Sequence, residues 1–301
     1  MNKKLSVLIV LLGGMSFGVL STIVKKSYDA GMNLGQVSVS QALFGALLLW
    51  GFILFKKFSD KNYKMEFTRK EAITLMISGI STACTSIVYY KSLQYLSASM
   101  AILLLFQFTW IGNIVECVIE RKMMESKKII ALIILVLGTL LASNVMIDGF
   151  NINPIGLMFG FLSAICYCVF MYVNGHVVTN VNPIQRSAWM ITGATIFLTI
   201  VFYKSLFTAV PFVTEVEYGV PLALFGNVIP PVFFSIGVPI IGIGLSSILG
   251  SIELPVATLC SVIVLHEQTS AIRWFGIILI LTAIIIPVMN KKKASQAQVQ
   301  N

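Results

Sequence analysis

Residues 240–267, IIGIGLSSILGSIELPVATLCSVIVLHE, combine a glycine-rich junction with a long apolar run that contains one internal carboxylate, Glu253. A helix needs roughly 20 apolar residues to cross the hydrocarbon of a bilayer, and the run 245–265 has about that length. Helices and closed barrels alone satisfy their backbone in lipid, and this run is too continuous for an alternating barrel strand. The stretch therefore predicts a membrane-spanning helix.

Similar runs occur along the whole chain. Its 301 residues are 57% hydrophobic and 11% charged, whereas a soluble domain carries roughly 25% charged residues. We predict an all-α membrane protein of ten transmembrane helices, near residues 5–24, 33–55, 71–91, 95–119, 128–147, 154–175, 184–205, 219–242, 245–265 and 271–289. The first run has no Ala-x-Ala cleavage site, so it is interpreted as an uncleaved span.

The net charge of +9 indicates membrane topology and not nucleic-acid binding. With the N-terminus inside and ten alternating spans, 16 of the 21 Lys and Arg residues fall on the inner side. This asymmetry follows the positive-inside rule. Because the loops and tails are also short, we expect a multi-pass protein of a prokaryotic plasma membrane, with cytoplasmic termini, lipid as its surroundings and no nucleic-acid partner.

An internal repeat relates the two halves of the chain. At a shift of 149 residues the sequence aligns Asn33 with Asn182, Gln36 with Gln185, Ser86 with Ser235, and Leu96–Ser97 with Leu245–Ser246. A two-residue deletion changes the shift to 147 and aligns Glu120 with Glu267 and Phe106 with Glu253. Since each half has five spans, an odd number, the second half enters the membrane from the opposite side.

Inverted repeats of this kind are typical of secondary transporters, which bind substrate near the midplane between the halves. The predicted organisation is a first five-helix repeat over 1–149, a second over 150–290 and a cytoplasmic tail over 291–301.

The junctions Tyr89 to Ser99 and Ile240 to Ile248, each before a small-residue helix that ends in glutamate, resemble the EamA-type ten-helix members of the drug/metabolite transporter superfamily. The second copy is the better match, through Glu253, Pro255, Ala257, Leu265–His266–Glu267 and Gly276. The first copy departs at Phe108, where the family usually has proline, and carries Glu116 within its fourth helix. The resemblance covers nearly the whole chain and implies a central cavity that transports amino acids, metabolites, sugars or drugs.

Glu253 is the leading candidate for a functional residue. It lies near the middle of the ninth predicted span, where an ionised carboxylate costs roughly 3 kcal/mol. By helical periodicity it shares a face with Ser246, Gly250, Ala257 and Ser261. Such a stripe fits the wall of a solute cavity that exchanges protons, and it equally fits close helix packing.

Further candidates lie on faces that are predicted to point inward. Thr85 and Tyr89 belong to a hydroxyl-bearing face of the third span, Trp110 and Asn113 share a face of the fourth, and Tyr167 lies in the sixth. Aromatic rings bind cations through their faces, although each of these residues could equally be core. Glu116 is expected to be a solvated or paired terminal charge.

The eighth span contains Asn227, Pro230 and Pro231. Proline removes a backbone donor and frees the carbonyl four residues earlier. We therefore interpret Pro230, Pro231 and the later Gly250 as candidate gating hinges and Asn227 as a candidate solute ligand, with a static packing kink as the alternative.

No catalytic residue, metal ligand or cofactor-binding motif is predicted. There is no P-loop, His266 and Glu267 lack a second histidine, and the five cysteines lie in apolar runs without metal-site spacing. The predicted function is a secondary transporter, an exporter by resemblance, of a small neutral, zwitterionic or weakly cationic solute. Proton coupling through Glu253 is the leading hypothesis, and the alternatives are a passive channel or facilitator and an intramembrane enzyme.

Overall fold

The computed structural model describes residues 2–60, 63–65, 67–92, 95–96, 98–143, 153–207, 210–266 and 269–288. The predicted tail 291–301, the link between the two repeats over 144–152, and the aligned residues Ser97 and Glu267 lie outside the described residues. Throughout the described ranges the regular structure is helical.

The first half contains six helices: α1 (Lys3–Asp29), α2 (Leu34–Ser59), α3 (Arg69–Ser92), α4 (Ala98–Leu105), α5 (Phe108–Glu120) and α6 (Ser126–Ala142). The second half contains α7 (Pro154–His176), α8 (Pro183–Val201), α9 (Phe212–Leu222), α10 (Ile229–Ile241), α11 (Ile243–Gly250), α12 (Glu253–Leu265) and α13 (Ala271–Ile285). A 3-10 turn, Tyr203–Phe207, follows α8, and a π-helical segment, Ala223–Val228, joins α9 to α10.

These helices form ten spans, as the sequence predicts. Among the described residues, eight segments are long and apolar enough to cross a membrane, and they include α4–α5, α9–α10 and α11–α12 as continuous units. The shorter helices α6 and α13 supply the fifth and tenth spans. The eighth span starts at Phe212, earlier than predicted, and Pro211 precedes its first residue.

The N-termini of the second and seventh spans confirm the repeated Asn-x-x-Gln pattern in part. Asn33 and Gln36 form a reciprocal capping box at the start of α2. Asn182 caps α8 through the amide of Ile184, whereas Gln185 instead donates to the carbonyl of Lys64. Side-chain caps satisfy amides that a helix start leaves unpaired, so the asparagine of the pattern caps both helices, whereas the glutamine takes part only at α2.

The fourth and ninth spans are both broken, a feature that the sequence did not predict. In each span an eight-residue helix is followed by a two-residue break and a helix of 13 residues. The caps also correspond, since Arg121 and His266 end the two spans in the left-handed conformation with φ of 52° and 53°.

This correspondence corrects the predicted alignment of the two halves. Ile243, Glu253 and His266 each lie 145 residues after Ala98, Phe108 and Arg121. Within the broken spans the repeat is therefore shifted by 145 residues and not by 147. Glu253 corresponds to Phe108, and the predicted match to Phe106 is wrong.

The two halves are interleaved and do not form separate bundles. The third span packs mainly against α7 and α8, the first against α10 and α12, the second against α8, and α6 against α13. Each of these pairs joins one half to the other. The centre of the bundle is consequently an interface between repeats, which is where inverted-repeat transporters bind substrate.

A buried arginine of α8 connects α7 and α10 in the second half by hydrogen bonds. Arg186, which is 1% exposed, donates to the carbonyls of Val173, Asn174 and Val177 at the end of α7 and to that of Ser235 in α10. Pro239 has no N–H to offer the Ser235 carbonyl four residues earlier. Arg186 thus supplies the donor that Pro239 lacks, and it also caps the C-terminus of α7.

Candidate functional site

The break in the ninth span places Glu253 at the first position of α12. The amides of Ile252 and Leu254 bond to carbonyls three residues earlier, over 3.2 Å each, so the four-residue helical pattern is interrupted. The interruption therefore lies directly before the one carboxylate inside this span.

Three tyrosines interact electrostatically with the Glu253 carboxylate. Tyr89 and Tyr90 of α3 and Tyr167 of α7 lie within electrostatic range of it. Among the described residues, no hydrogen bond or ion pair reaches the Glu253 side chain. The Tyr167 hydroxyl is buried and likewise has no hydrogen-bond partner among those residues. The arrangement holds a carboxylate and a phenol whose polar atoms are unsatisfied by the protein.

An aromatic cluster forms one wall of this site. The Tyr167 ring lies 4.3 Å from that of Phe108, 5.6 Å from Phe170 and 6.2 Å from Phe17, measured between centroids. Phe108 is the residue that corresponds to Glu253 in the first half. The two breaks thus contribute unlike groups, an aromatic ring and a carboxylate, and the site is asymmetric.

The first span packs closely against the break at two glycines, Gly14 and Gly18. A Cβ atom on Gly14 would lie 2.8 Å from Cγ2 of Ile252, and one on Gly18 would lie 2.6 Å from the backbone oxygen of Glu253. Glycines four residues apart allow two helices to approach closely in a membrane. The Gly-x-x-x-Gly spacing was visible in the sequence and would have identified this contact.

The eighth span contributes Asn227 to a separate small cavity. Gln41 donates to Asn227 over 3.2 Å, and Ser38, Thr82 and Ser86 complete the polar lining. The cavity measures about 10 Å³, which is room for roughly one water molecule. Thr82 belongs to the hydroxyl-bearing face of the third span that the sequence predicts to point inward. Ser38, Gln41 and Ser86 were not identified as candidates, because periodicity gives the inward face of a helix but not its neighbours.

Pro230 and Pro231 occupy the start of α10, directly after the π-helical segment. The Ile229 amide bonds to the carbonyl of Leu224, five residues earlier. The next carbonyl, that of Phe225, accepts instead from the Ser16 hydroxyl over 2.8 Å. The prolines are therefore accommodated by a π turn and by the first span.

A second polar network lies at the end of the bundle that carries the N-terminus. Glu116 is 8% exposed, pairs with Lys128 and accepts from the amide of Gly244 over 3.2 Å. The paired alternative for Glu116 is thus correct, and the solvated one is wrong. Asn113 donates to the Gly244 carbonyl over 3.0 Å.

A cavity of about 260 Å³ opens beside this network. Glu116, Glu120, Lys3 and His176 supply its charged and titratable lining, and α10 and Gly242 supply its backbone. It lies where α5, α7 and α10 end, at the margin of the bundle.

The structure brings together some of the predicted site residues and separates others. Glu253, Tyr89, Tyr167 and Gly250 lie around the break, where Gly250 is in contact range of Phe108.

Asn113 belongs to the network at the N-terminal end, and the hydroxyls of Thr85 and Ser246 bond to carbonyls of their own helices. The Trp110 indole donates to Gln107. The helix break lies between Ser246 and Glu253. Tyr90 and Phe108 were not identified as site residues from the sequence.

Comparison with known proteins gives a family. The profile of the EamA-like transporter family matches the chain twice, over residues 4–144 and 154–289. Among 29 matching chains of solved structure, one crystal structure of a protein has a TM-score of 0.77 at 14% identity, covering 93% of this chain and 98% of its own. That likeness shows the fold alone. No curated protein matches the sequence significantly.

Proposed function

The chain belongs to the EamA-like transporter family, a family of membrane proteins that transport small solutes, and on this premise we propose a specific mechanism. The protein is a secondary transporter that moves a small neutral, zwitterionic or weakly cationic solute by alternating access. Proton transfer at Glu253 couples that movement to the proton gradient.

The position of Glu253 carries this proposal. A carboxylate that serves packing is expected to be hydrogen-bonded, because a buried unpaired charge is costly. Glu253 instead follows a helix break and has no hydrogen-bond or ion-pair partner among the described residues. This favours a group that is satisfied in turn by a proton and by a solute.

The surroundings of Glu253 favour a solute with a positive or polar group. Tyr89, Tyr90 and Tyr167 lie within electrostatic range of the carboxylate, and the faces of aromatic rings attract cations. One carboxylate can hold either a proton or a cationic group. Competition between the two at a single site would make the protein exchange one for the other, which is the minimal requirement for antiport.

The proposed direction is export across a prokaryotic plasma membrane, with both termini in the cytoplasm. Support comes from the excess of Lys and Arg in the segments on the side of the N-terminus and from the family resemblance. In this orientation the cavity beside Glu116 faces the cytoplasm. A passive facilitator remains the second candidate, because a solute site alone does not require coupling.

Proton movement on addition of solute tests the proposal. The full-length protein is reconstituted in liposomes that contain a pH dye, and amino acids, purines and organic cations are added in turn. We expect one solute class to change the internal pH, and we expect this change to vanish in Glu253→Gln. Glu217→Gln, at an exposed position of α9, is the matched control and should behave as wild type.

Two results would count against the mechanism. Labelled solute that crosses without any pH change would indicate a facilitator and would assign Glu253 a structural role. A Glu253→Gln variant that keeps the full proton signal would exclude this carboxyl group as the coupling site.

A further inference from the structure

A groove runs along the outer side of α8, between α2 and α3. Helix α2 packs against α8 around Ala188 and Ile191, whereas α3 packs against it at Met190 and Gly193. At 3.6 residues per turn, these two sets of contacts lie on opposite sides of α8. Helices α2 and α3 make few direct contacts with each other, so the side of α8 between them stays uncovered.

The uncovered side of α8 is mostly apolar. Trp189, Thr192, Ile196 and Ile200 follow one another at three- and four-residue spacing, and the two isoleucines are exposed. The one hydroxyl in this stripe is already engaged, because Thr192 accepts from the Trp50 indole over 2.9 Å and donates to its own helix. In a membrane protein such a stripe contacts hydrocarbon, so the groove fits an acyl chain.

Three aromatic rings lie at one end of the groove. The Trp189 ring is 5.0 Å from that of Trp50 in α2 and 5.2 Å from that of Phe67, which precedes α3, and both contacts are edge-on. This is the end of the bundle that carries the N-terminus, since α2 ends there and α3 and α8 begin there. Tryptophan is enriched at membrane–water interfaces, which places this end of the groove at the level of the lipid headgroups.

Basic side chains flank the same end from both walls. Lys57 comes seven residues after Trp50, so the two share a face of α2. Arg69 comes two residues after Phe67, at the first position of α3. Both basic side chains are exposed. Two further exposed cations belong to the same segment of the chain, Lys64 and Lys70.

Acidic residues do not balance this charge. Among the described residues between positions 56 and 71, five are basic and two, Asp60 and Glu71, are acidic. The Glu71 carboxylate accepts hydrogen bonds from the Thr68 amide over 2.7 Å and from Asn180 over 2.9 Å. An excess of Lys and Arg at the headgroup level attracts anionic lipids, so charge complementarity selects an anionic occupant.

We infer that this groove binds one anionic phospholipid, with its phosphate between Lys57 and Arg69 and an acyl chain along the stripe from Trp189 to Ile200. Basic pockets between transmembrane helices bind anionic headgroups in this way, and the guanidinium of arginine suits a phosphate because it can donate two parallel hydrogen bonds. This lipid site does not depend on solute binding at Glu253. The proposed orientation of the protein places it in the cytoplasmic leaflet.

The test compares dioleoyl phosphatidylglycerol with dioleoyl phosphatidylcholine, which have the same chains and differ in headgroup charge. Each lipid is titrated into the purified full-length protein in detergent, and native mass spectrometry measures the bound fraction. We expect phosphatidylglycerol to bind at least roughly fivefold more tightly. Lys57→Gln and Arg69→Gln should each weaken its binding roughly fivefold, equivalent to about 1 kcal/mol per basic group, and leave phosphatidylcholine unaffected.

Lys127→Gln is the matched control, since it removes the same charge from an exposed position of α6 at the same end of the bundle, and α6 packs against α13 and not beside the groove. It should bind both lipids as the wild type does. Each variant is first required to unfold at the wild-type temperature in detergent alone; if one of the two groove variants does not, the other decides.

Three results would overturn the inference. Equal affinities for the two lipids would show that headgroup charge does not matter. Losses in Lys57→Gln and Arg69→Gln no larger than in Lys127→Gln would show that the anionic lipid binds elsewhere. Glycerol 3-phosphate that displaces phosphatidylglycerol at equal concentration would show a site for free anions, in which the apolar groove plays no part.

Discussion

The Glu116 carboxylate accepts a hydrogen bond from the Gly244 amide over 3.2 Å, and this contact joins the fourth span to the start of the ninth. The same carboxylate pairs with Lys128 at the start of α6. Carboxylates stabilise helix N-termini, where unpaired amides carry partial positive charge. Glu116 therefore holds the two halves together at the end of the bundle that carries the N-terminus.

The Glu116–Lys128 pair is expected to contribute measurably to stability. The side chains are 11% and 18% exposed, so each is largely desolvated and depends on its partner. Removing either one should cost about 2 kcal/mol, less than for a fully buried pair because some solvent access remains. We expect Glu116→Gln and Lys128→Met each to lower the Tm of the purified protein.

A double-mutant cycle separates the pair from its surroundings. The combined Glu116→Gln and Lys128→Met variant should lose less stability than the two single variants together, because neither charge is then left unpaired. Gln at position 116 can still accept from Gly244. Additive losses would show that the two side chains stabilise the protein independently.

Gly242 is a second determinant of the same contact. Its φ is 85°, a region that residues with a Cβ atom disfavour, and a Cβ atom there would also collide with Oε1 of Glu116. Gly242→Ala should therefore cost about 1 to 3 kcal/mol. Thermal unfolding measures the effect, and Gly51→Ala is the control, since no atom lies within 4 Å of its added methyl group.

A combined Gly242→Ala and Glu116→Ser variant tests the collision. Relative to Glu116→Ser alone, which also loses the pair with Lys128, the added Gly242→Ala change should cost less than it does in the wild type, because only the backbone strain remains. A Gly242→Ala variant as stable as Gly51→Ala would contradict both reasons.

The sequence predicts the elements that depend on local chemistry and misses those that depend on neighbours. Spans follow from apolar length, and the cap at Asn33 follows from the reciprocal bond to Gln36. The break at Phe106 and Gln107 carries neither Gly nor Pro, so no local signal marks it. The freed carbonyl of Leu103 accepts a hydrogen bond from the Gln107 side chain instead.

The candidate site also contains residues that the sequence identifies and residues whose neighbours it does not predict. Glu253 and Tyr167 were identifiable because a carboxylate and a tyrosine inside apolar runs need an explanation. Asn113 was predicted to bind solute, but it lies against Gly244 and Ser247 of α11. Helical periodicity gives the face of a residue, whereas packing between the interleaved halves decides what that face contacts.

Arg186 provides a stability prediction in the second half. Its guanidinium donates to four carbonyls of α7 and α10, and buried acceptors that lose their donor are costly. Arg186→Met should therefore cost about 3 kcal/mol and lower the Tm. Arg186→Lys should recover part of the loss, because a single ammonium group cannot reproduce the planar fork of donors.

The control for Arg186 is Arg273→Met, at the partly exposed start of α13, which should have a smaller effect. Equal losses in Arg186→Met and Arg186→Lys would show that geometry, and not charge or chain length, determines the contribution. Unchanged stability in both variants would contradict the capping role.

A Tyr167→Phe variant distinguishes a role of the hydroxyl in transport from a role of the ring in packing. Its ring packs against Phe108 at 4.3 Å, while its buried hydroxyl has no partner among the described residues. Tyr167→Phe keeps the ring and removes an unsatisfied group, so stability should stay the same or rise by up to about 1 kcal/mol. If the hydroxyl bonds to the solute or to protonated Glu253 during transport, solute-driven proton flux should fall roughly tenfold, equivalent to about 1.4 kcal/mol.

The matched control is Tyr172→Phe in the same helix, whose ring is 37% exposed and stacks on His176 at 4.7 Å. It should leave both Tm and flux unchanged. A Tyr167→Phe variant with lower Tm and proportionally lower flux would indicate that the hydroxyl supports the fold. Wild-type flux in that variant would limit Tyr167 to the aromatic wall, and Tyr89 and Tyr90 would then be the remaining phenols able to serve Glu253.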